Sequence, residues 1–194
     1  MRRTSVRLLL CLLLIVAPAF AEATKEYKIA ILRDGDSPYF DEIAEMLKRE
    51  VSVLAEGERE ITFLEGPAWN AEWDLDRARE VLRAALQDAE VDMVFAGGML
   101  ITRAVVTAGE PLPKPVVSGF IEDPSMIGLP IGADGRSAIP NYTFVVVPCE
   151  AKDDIQLFRL IVPFKRLAVL VDQYFLAHTP YVRREAEEYV RATG

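Results

Sequence analysis

The sequence predicts an α/β protein built on a doubly wound, mainly parallel sheet, and three observations lead there. Short, β-branched apolar runs alternate with longer amphipathic segments along 194 residues. The crossovers between runs are long enough to hold helices, as parallel pairing requires. Several runs are apolar almost throughout, which marks strands buried on both faces.

The opening residues follow the plan of a secretory signal. Arg2, Arg3 and Arg7 precede the apolar run from Leu8 to Val16, and Ala19-Phe20-Ala21 supplies a small-x-small cleavage pattern. Residues 1–21 are therefore expected to be a signal peptide cut after Ala21. The run is shorter than the roughly 20 apolar residues a bilayer span needs, so no stable membrane insertion is expected after cleavage. A membrane anchor is the competing reading. A lipoprotein is rejected, because Leu8-Leu9-Leu10 precede Cys11 where a small residue is required.

Lys28 to Leu32 is the first predicted strand. Ser37-Pro38 then starts a helix, as N-cap and first helical residue, with Phe40, Ile43, Ala44, Leu47, Val51 and Leu54 on one face. Gly57 ends that region, and Ile61 to Leu64 forms a second strand. A helix from about Asp74 to Ala89 turns Leu75, Ala78, Leu82 and Ala85 inward. Val91 to Ala96 is a third strand, broken by Gly97-Gly98, with a helix from Leu100 to about Ala108. Pro115 to Phe120 and Tyr142 to Val147 complete the sheet. After Pro148, Asp153 to Ile161 reads as a helix, Arg166 to Val171 as a strand, and Thr179-Pro180 as a helix start. This last βα unit is expected to open a second lobe; a sixth strand on the first sheet is the alternative.

The formal net charge is −8. Loss of the leader arginines makes it more acidic still. That balance argues against nucleic acid and anionic membranes as partners, and no basic stripe is present. Without the leader only Cys149 remains, so no internal disulfide is expected, and its place beside an apolar strand suits a small buried hydrophobe.

In open parallel sheets, ligands sit beyond the carboxyl ends of the strands, where strand order reverses. That rule selects Arg33-Asp34-Gly35-Asp36-Ser37 with Tyr39, then Gly97-Gly98-Met99, and Ile121-Glu122-Asp123-Pro124. Gly97 and Gly98 would let a ligand anion approach the backbone N–H groups of the next helix; a tight turn is the plainer reading. Tyr39 offers an aromatic platform or partial core packing. Asp34 and Asp36 would point into the cleft or into solvent. Trp69 and Trp73 are expected to pack in the core or at its rim. Asp34-x-Asp36 is like the start of a calcium loop, but Tyr39 stands where such a loop needs glycine, so no metal is assigned. No cofactor motif or nucleophile elbow, phosphate loop or paired-histidine motif is found, and His178 reads as a loop residue. The expectation is a binding protein, not an enzyme. Asn141-Tyr142-Thr143 is a formal glycosylation sequon at a strand start, given no role.

Three stretches resemble the periplasmic substrate-binding proteins of ABC transporters, in the type 1 periplasmic-binding fold and its tryptophan- and tyrosine-binder-like branch. They are Lys28 to Phe40, Lys114 to Pro124 with Gly128-Leu129, and Asn141 through Val171. The resemblance implies a two-lobed clamp, with 22–148 as the N-terminal lobe and 149–194 as the hinge crossing and first βα unit of a truncated second lobe. It implies a periplasmic receptor that closes on a small-molecule solute and delivers it to an ABC permease in the inner membrane. A ligand-sensing or accessory ectodomain acting on a protein partner is the competing function; an exported α/β enzyme ranks last. Expected ligand-binding residues are Asp34, Ser37, Tyr39, Gly97, Gly98, Met99, Asp123 and Gln173. Gln173 lies in the loop after the second lobe's first strand, where the family places binding groups.

Overall fold

The computed structural model describes residues 26–109, 111–121, 124, 127–147, 151–168, 170, 173, 177, 187 and 191. The expected leader, Cys149 and His178 fall outside these. The described elements are β1 (Glu26–Leu32), α1 (Pro38–Ala55), β2 (Glu60–Leu64), α2 (Leu75–Gln87), β3 (Met93–Ala96), α3 (Met99–Val106), β4 (Val116–Ile121), β5 (Tyr142–Val146) and α4 (Ala151–Ile161), with a 3-10 turn at Pro67–Trp69. The five strands pair in the order β2-β1-β3-β4-β5, every pair parallel.

Local chemistry explains where the helices start. Ser37 takes extended backbone and its hydroxyl accepts from the Tyr39 N–H, while Pro38 supplies a preset first residue. Asp74 caps α2 by accepting from the Arg77 N–H at 2.8 Å. Strand alternation then divides the core in two. Ala30, Leu32, Val94, Ala96 and Val116 meet Leu75, Ala78, Leu82, Ala85, Ile101 and Ala104 from α2 and α3. On the other face, Ile29, Ile31 and Phe95 meet Ala44 of α1, with Leu47, Val51 and Phe63 packed around them.

Four expectations need correction. Leu54 is 80% exposed, not inward, because the apolar cluster beneath α1 reaches Val51 and no further. The sheet is not covered evenly: α1 shields the β1–β3 side of its face, while Thr143 and Val145 of β5 are exposed on that face. Arg166 to Ala168 and Leu170 are not in a strand, and Leu170 is 98% exposed. A strand needs a neighbour for its backbone hydrogen bonds, and among the described residues nothing pairs with this run. Gln173 and Ala177, expected in the following loop, are helical.

The link from β4 to β5 has no helix among its described residues. A small antiparallel bridge joins Ile131 to Ser137, Gly132 N–H donates to the Arg136 carbonyl at 2.8 Å, and Ile127 and Leu129 are buried.

Candidate functional site at the carboxyl rim

The strand order fixes where a cleft can form. From β1 the chain moves outward to β2, then returns to lay β3 on the other side of β1, so the order reverses between β1 and β3. Leu32 and Ala96 are paired at the ends of these strands, and Gly97 N–H donates to the Leu32 carbonyl at 2.8 Å. The loops after β1 and β3 therefore flank the reversal, the place where open α/β sheets accept ligands. Ser118 of β4 pairs with Ala96, so the loop leading to Pro124 leaves by the same edge. Asp123 lies outside the described residues.

Asp34 spans that reversal. Its side chain is buried, at 4% exposure, and its carboxylate accepts from the Leu100 N–H at 2.9 Å and the Ile101 N–H at 3.0 Å. It is the side-chain cap of α3, supplied from 66 residues away. Burial pushes its carboxyl above the ordinary carboxylate value, and the N–H groups of Met99, Leu100 and Ile101 only partly offset this. The double glycine has a use within the chain itself. A Cβ on Gly98 would stand 2.2 Å from the Asp34 carboxyl carbon, and one on Gly97 would stand 2.8 Å from the Leu32 carbonyl oxygen. Gly98 makes room for Asp34 and Gly97 for close strand approach. The anion at the start of α3 is the chain's own.

The remaining expected residues separate. The Ser37 hydroxyl is used in capping α1, and Met99 is half-buried with its side chain against the α2–α3 core. Tyr39 is 59% exposed on the rim. Gln173 is exposed, and among the described residues no hydrogen bond or ion pair joins it to the rim.

The rim also holds a group that sequence reasoning placed only in general packing. The segment after β2 follows the end of β1: Arg33 N–H donates to Trp69 O at 3.0 Å, Ala71 N–H to Arg33 O at 2.9 Å, and Trp73 N–H to Asp34 O at 2.6 Å. Asn70 locks the turn, its Oδ1 accepting from Glu72 N–H at 2.8 Å while its Nδ2 donates to Asp36 Oδ1 at 2.7 Å. Glu72 and Trp73 are thereby held at φ 53° and 62°, in the left-handed region. The Trp73 indole lies against Gly35, where a Cβ would meet the ring at 2.2 Å. Its ring centre is 5.8 Å from that of Phe40, itself 5.7 Å from Tyr39. Trp73 is 51% exposed, whereas Trp69 packs on the core. The same positional rule covers this loop, since it too follows a parallel strand.

Charge at the rim is paired from beneath. The Arg33 guanidinium donates to Asp41 and, at 2.7 Å, to Glu65, whose other oxygen accepts from Lys48 at 2.8 Å. Burial alone would raise Glu65, but the hydrogen bonds from Lys48 and Arg33 hold it below the ordinary value. Among the described residues no group of histidine, cysteine and acidic side chains could hold a metal ion, and no helix is long and apolar enough to cross a membrane.

No protein-family model and no curated protein matches the chain. Among solved structures, it is similar to the ABC domain in complex with L-Trp from Streptococcus pneumonia, with a TM-score of 0.55 and 19% identity. The match covers 72% of this chain and 44% of the other, so it reaches less than half the length of that neighbour. The likeness is one of fold: a parallel α/β sheet with interleaved helices.

Proposed function

We propose that this chain forms the ligand-holding first lobe of an exported solute receptor serving an ABC importer. The observation that carries the reading is the rim itself. Four loops leave one edge of an all-parallel sheet at a strand-order reversal, and two of them present partly exposed aromatic rings. Such an edge is where this architecture accepts small molecules. The neighbour of the same fold is described as holding L-Trp, which favours a small solute over a macromolecule. The signal-like leader adds export, and the acidic surface suits a soluble carrier.

The test is a thermal-shift screen of the full-length protein against amino acids, short peptides, sugars and organic amines. A ligand at 100 times its Kd adds about 2.7 kcal/mol of stability, which raises Tm by several degrees in a domain of this size. No shift across all four classes would overturn the receptor reading. Export is checked separately, by N-terminal sequencing of the protein from a periplasmic extract, with Glu22 expected as the first residue.

A further inference from the structure

We infer that the shelf of Tyr39, Phe40 and Trp73 seats a small organic cation, an ammonium or guanidinium group carried on an apolar body. The inference rests on the receptor reading and specifies the class of solute at its rim.

The rings supply the first part. Trp73 has one side occupied by the Gly35 backbone and remains half exposed, and Tyr39 is exposed at the other end of the row. Aromatic faces carry partial negative charge and attract cations, tryptophan most strongly.

The helix starts supply the second. An anionic solute would be held by open N–H groups at helix N-termini. At this rim α1 has Ser37 accepting from Tyr39 N–H, α2 has Asp74 accepting from Arg77 N–H, and α3 has Asp34 accepting from Leu100 and Ile101 N–H. All three helices turn side-chain oxygen toward the place where an anion would need hydrogen.

Charge supplies the third. Residues 33–42 and 65–74 hold Asp34, Asp36, Asp41, Glu42, Glu65, Glu72 and Asp74 against Arg33, with Lys48 of α1 beside Glu65. The Arg33 guanidinium is already held between Asp41 and Glu65. Asp36 is next to Gly35, on which the indole lies, and Asn70 fixes one of its carboxylate oxygens. Aromatic rings set among acidic loops are complementary to a cation and repel a carboxylate.

The experiment uses the indole N–H resonances of the two tryptophans, with core-packed Trp69 as the internal control. The probes are choline, its uncharged isostere 3,3-dimethylbutan-1-ol, and phenylacetate. Choline is expected to shift the Trp73 resonance saturably, with an affinity about tenfold above that of the isostere, while Trp69 stays in place. Followed through broadening of the choline methyl signal, Trp73→Gly and Asp36→Asn should each weaken binding about fivefold or more. The second variant preserves the acceptor that Asn70 needs, so it separates lost charge from lost folding. Equal affinity for choline and its isostere overturns the inference. A Trp73 response to phenylacetate without one to choline also overturns it, yet leaves the receptor reading standing. Silence toward every probe removes the shelf as a site, and the solute screen then decides whether the lobe binds elsewhere.

Discussion

The carboxyl group of Asp34 fills the space that a side chain on Gly98 would take, the two residues meeting across the seam between β1 and α3. This relationship sets a first prediction. Gly98→Ala should destabilise by about 2–4 kcal/mol, since the added carbon must expel the carboxylate from its hydrogen bonds. Asp34→Ala should cost about 2–3 kcal/mol by leaving the Leu100 and Ile101 N–H groups unpaired. In the Asp34→Ala background Gly98→Ala should then cost under about 1 kcal/mol, so a double-mutant cycle by urea unfolding should show strong coupling. Additive costs would contradict the geometry. Gly98 has extended backbone, at φ −159°, so the penalty is one of space and not of conformation.

A second prediction concerns the left-handed tryptophan. Trp73→Gly removes a half-buried ring but relieves a backbone at φ 62°. The two effects are each about 1–2 kcal/mol, so the variant should lie within about 1 kcal/mol of the parent. Trp73→Ala loses the ring without gaining glycine's freedom, and should be less stable than the glycine variant by about 1 kcal/mol. Thermal melts of the pair, run side by side, measure the difference.

The third prediction follows acid. Glu65 is held below its ordinary carboxylate value of 4.5 by Lys48 and Arg33. Its contribution is therefore fully present above about pH 4.5 and is lost as pH falls through the lower folded value. Glu65→Gln should cost about 1 kcal/mol at neutral pH, a modest figure for a group partly open to solvent. The gap between the two proteins should close on acidification. Asp34 has the opposite sign: its folded pKa is raised, so the folded state gains from protonation as pH falls from that raised value to the unfolded one. Asp34→Ala should remove that opposing slope. Stability curves measured between pH 3 and pH 7 by urea titration resolve both.

The fourth lies deeper in the core. Thr102 Oγ1 lies 2.7 Å from the Gly98 carbonyl and 3.0 Å from Ser118 Oγ. The Tyr142 hydroxyl is buried with no hydrogen-bond partner among the described residues; burial pushes its pKa up to about 12, with nearby Ser118 opposing. Tyr142→Phe should leave stability unchanged or raise it by up to about 1 kcal/mol, because an unpaired buried hydroxyl costs more than it returns. A loss above about 1 kcal/mol would reveal a partner for that oxygen.

Local signals in the sequence located most of the sheet and its helices. Ser37-Pro38 and Asp74 mark helix starts because a cap acts on residues two or three places away, and the apolar period of α2 can be counted directly. Asp34 could not be read that way. Its partners are the N–H groups of another helix, and the glycine that admits it looks the same whether the space is left for a ligand or for the chain itself. Trp73 was hidden for a related reason: its left-handed backbone follows from hydrogen bonds to Arg33 and Asp34, which strand pairing alone brings near. Arg166 to Val171 has strand-like residues, but composition cannot supply the neighbouring strand that pairing demands.

The bolt between Asp34 and the first turn of α3 has a mechanical consequence. It fastens the β1–β2 flank to the β3–β5 flank at the carboxyl ends of β1 and β3. On the proposed receptor reading, a solute at this edge rests on a surface already fixed by Asp34, and closure over it takes place outside the five strands.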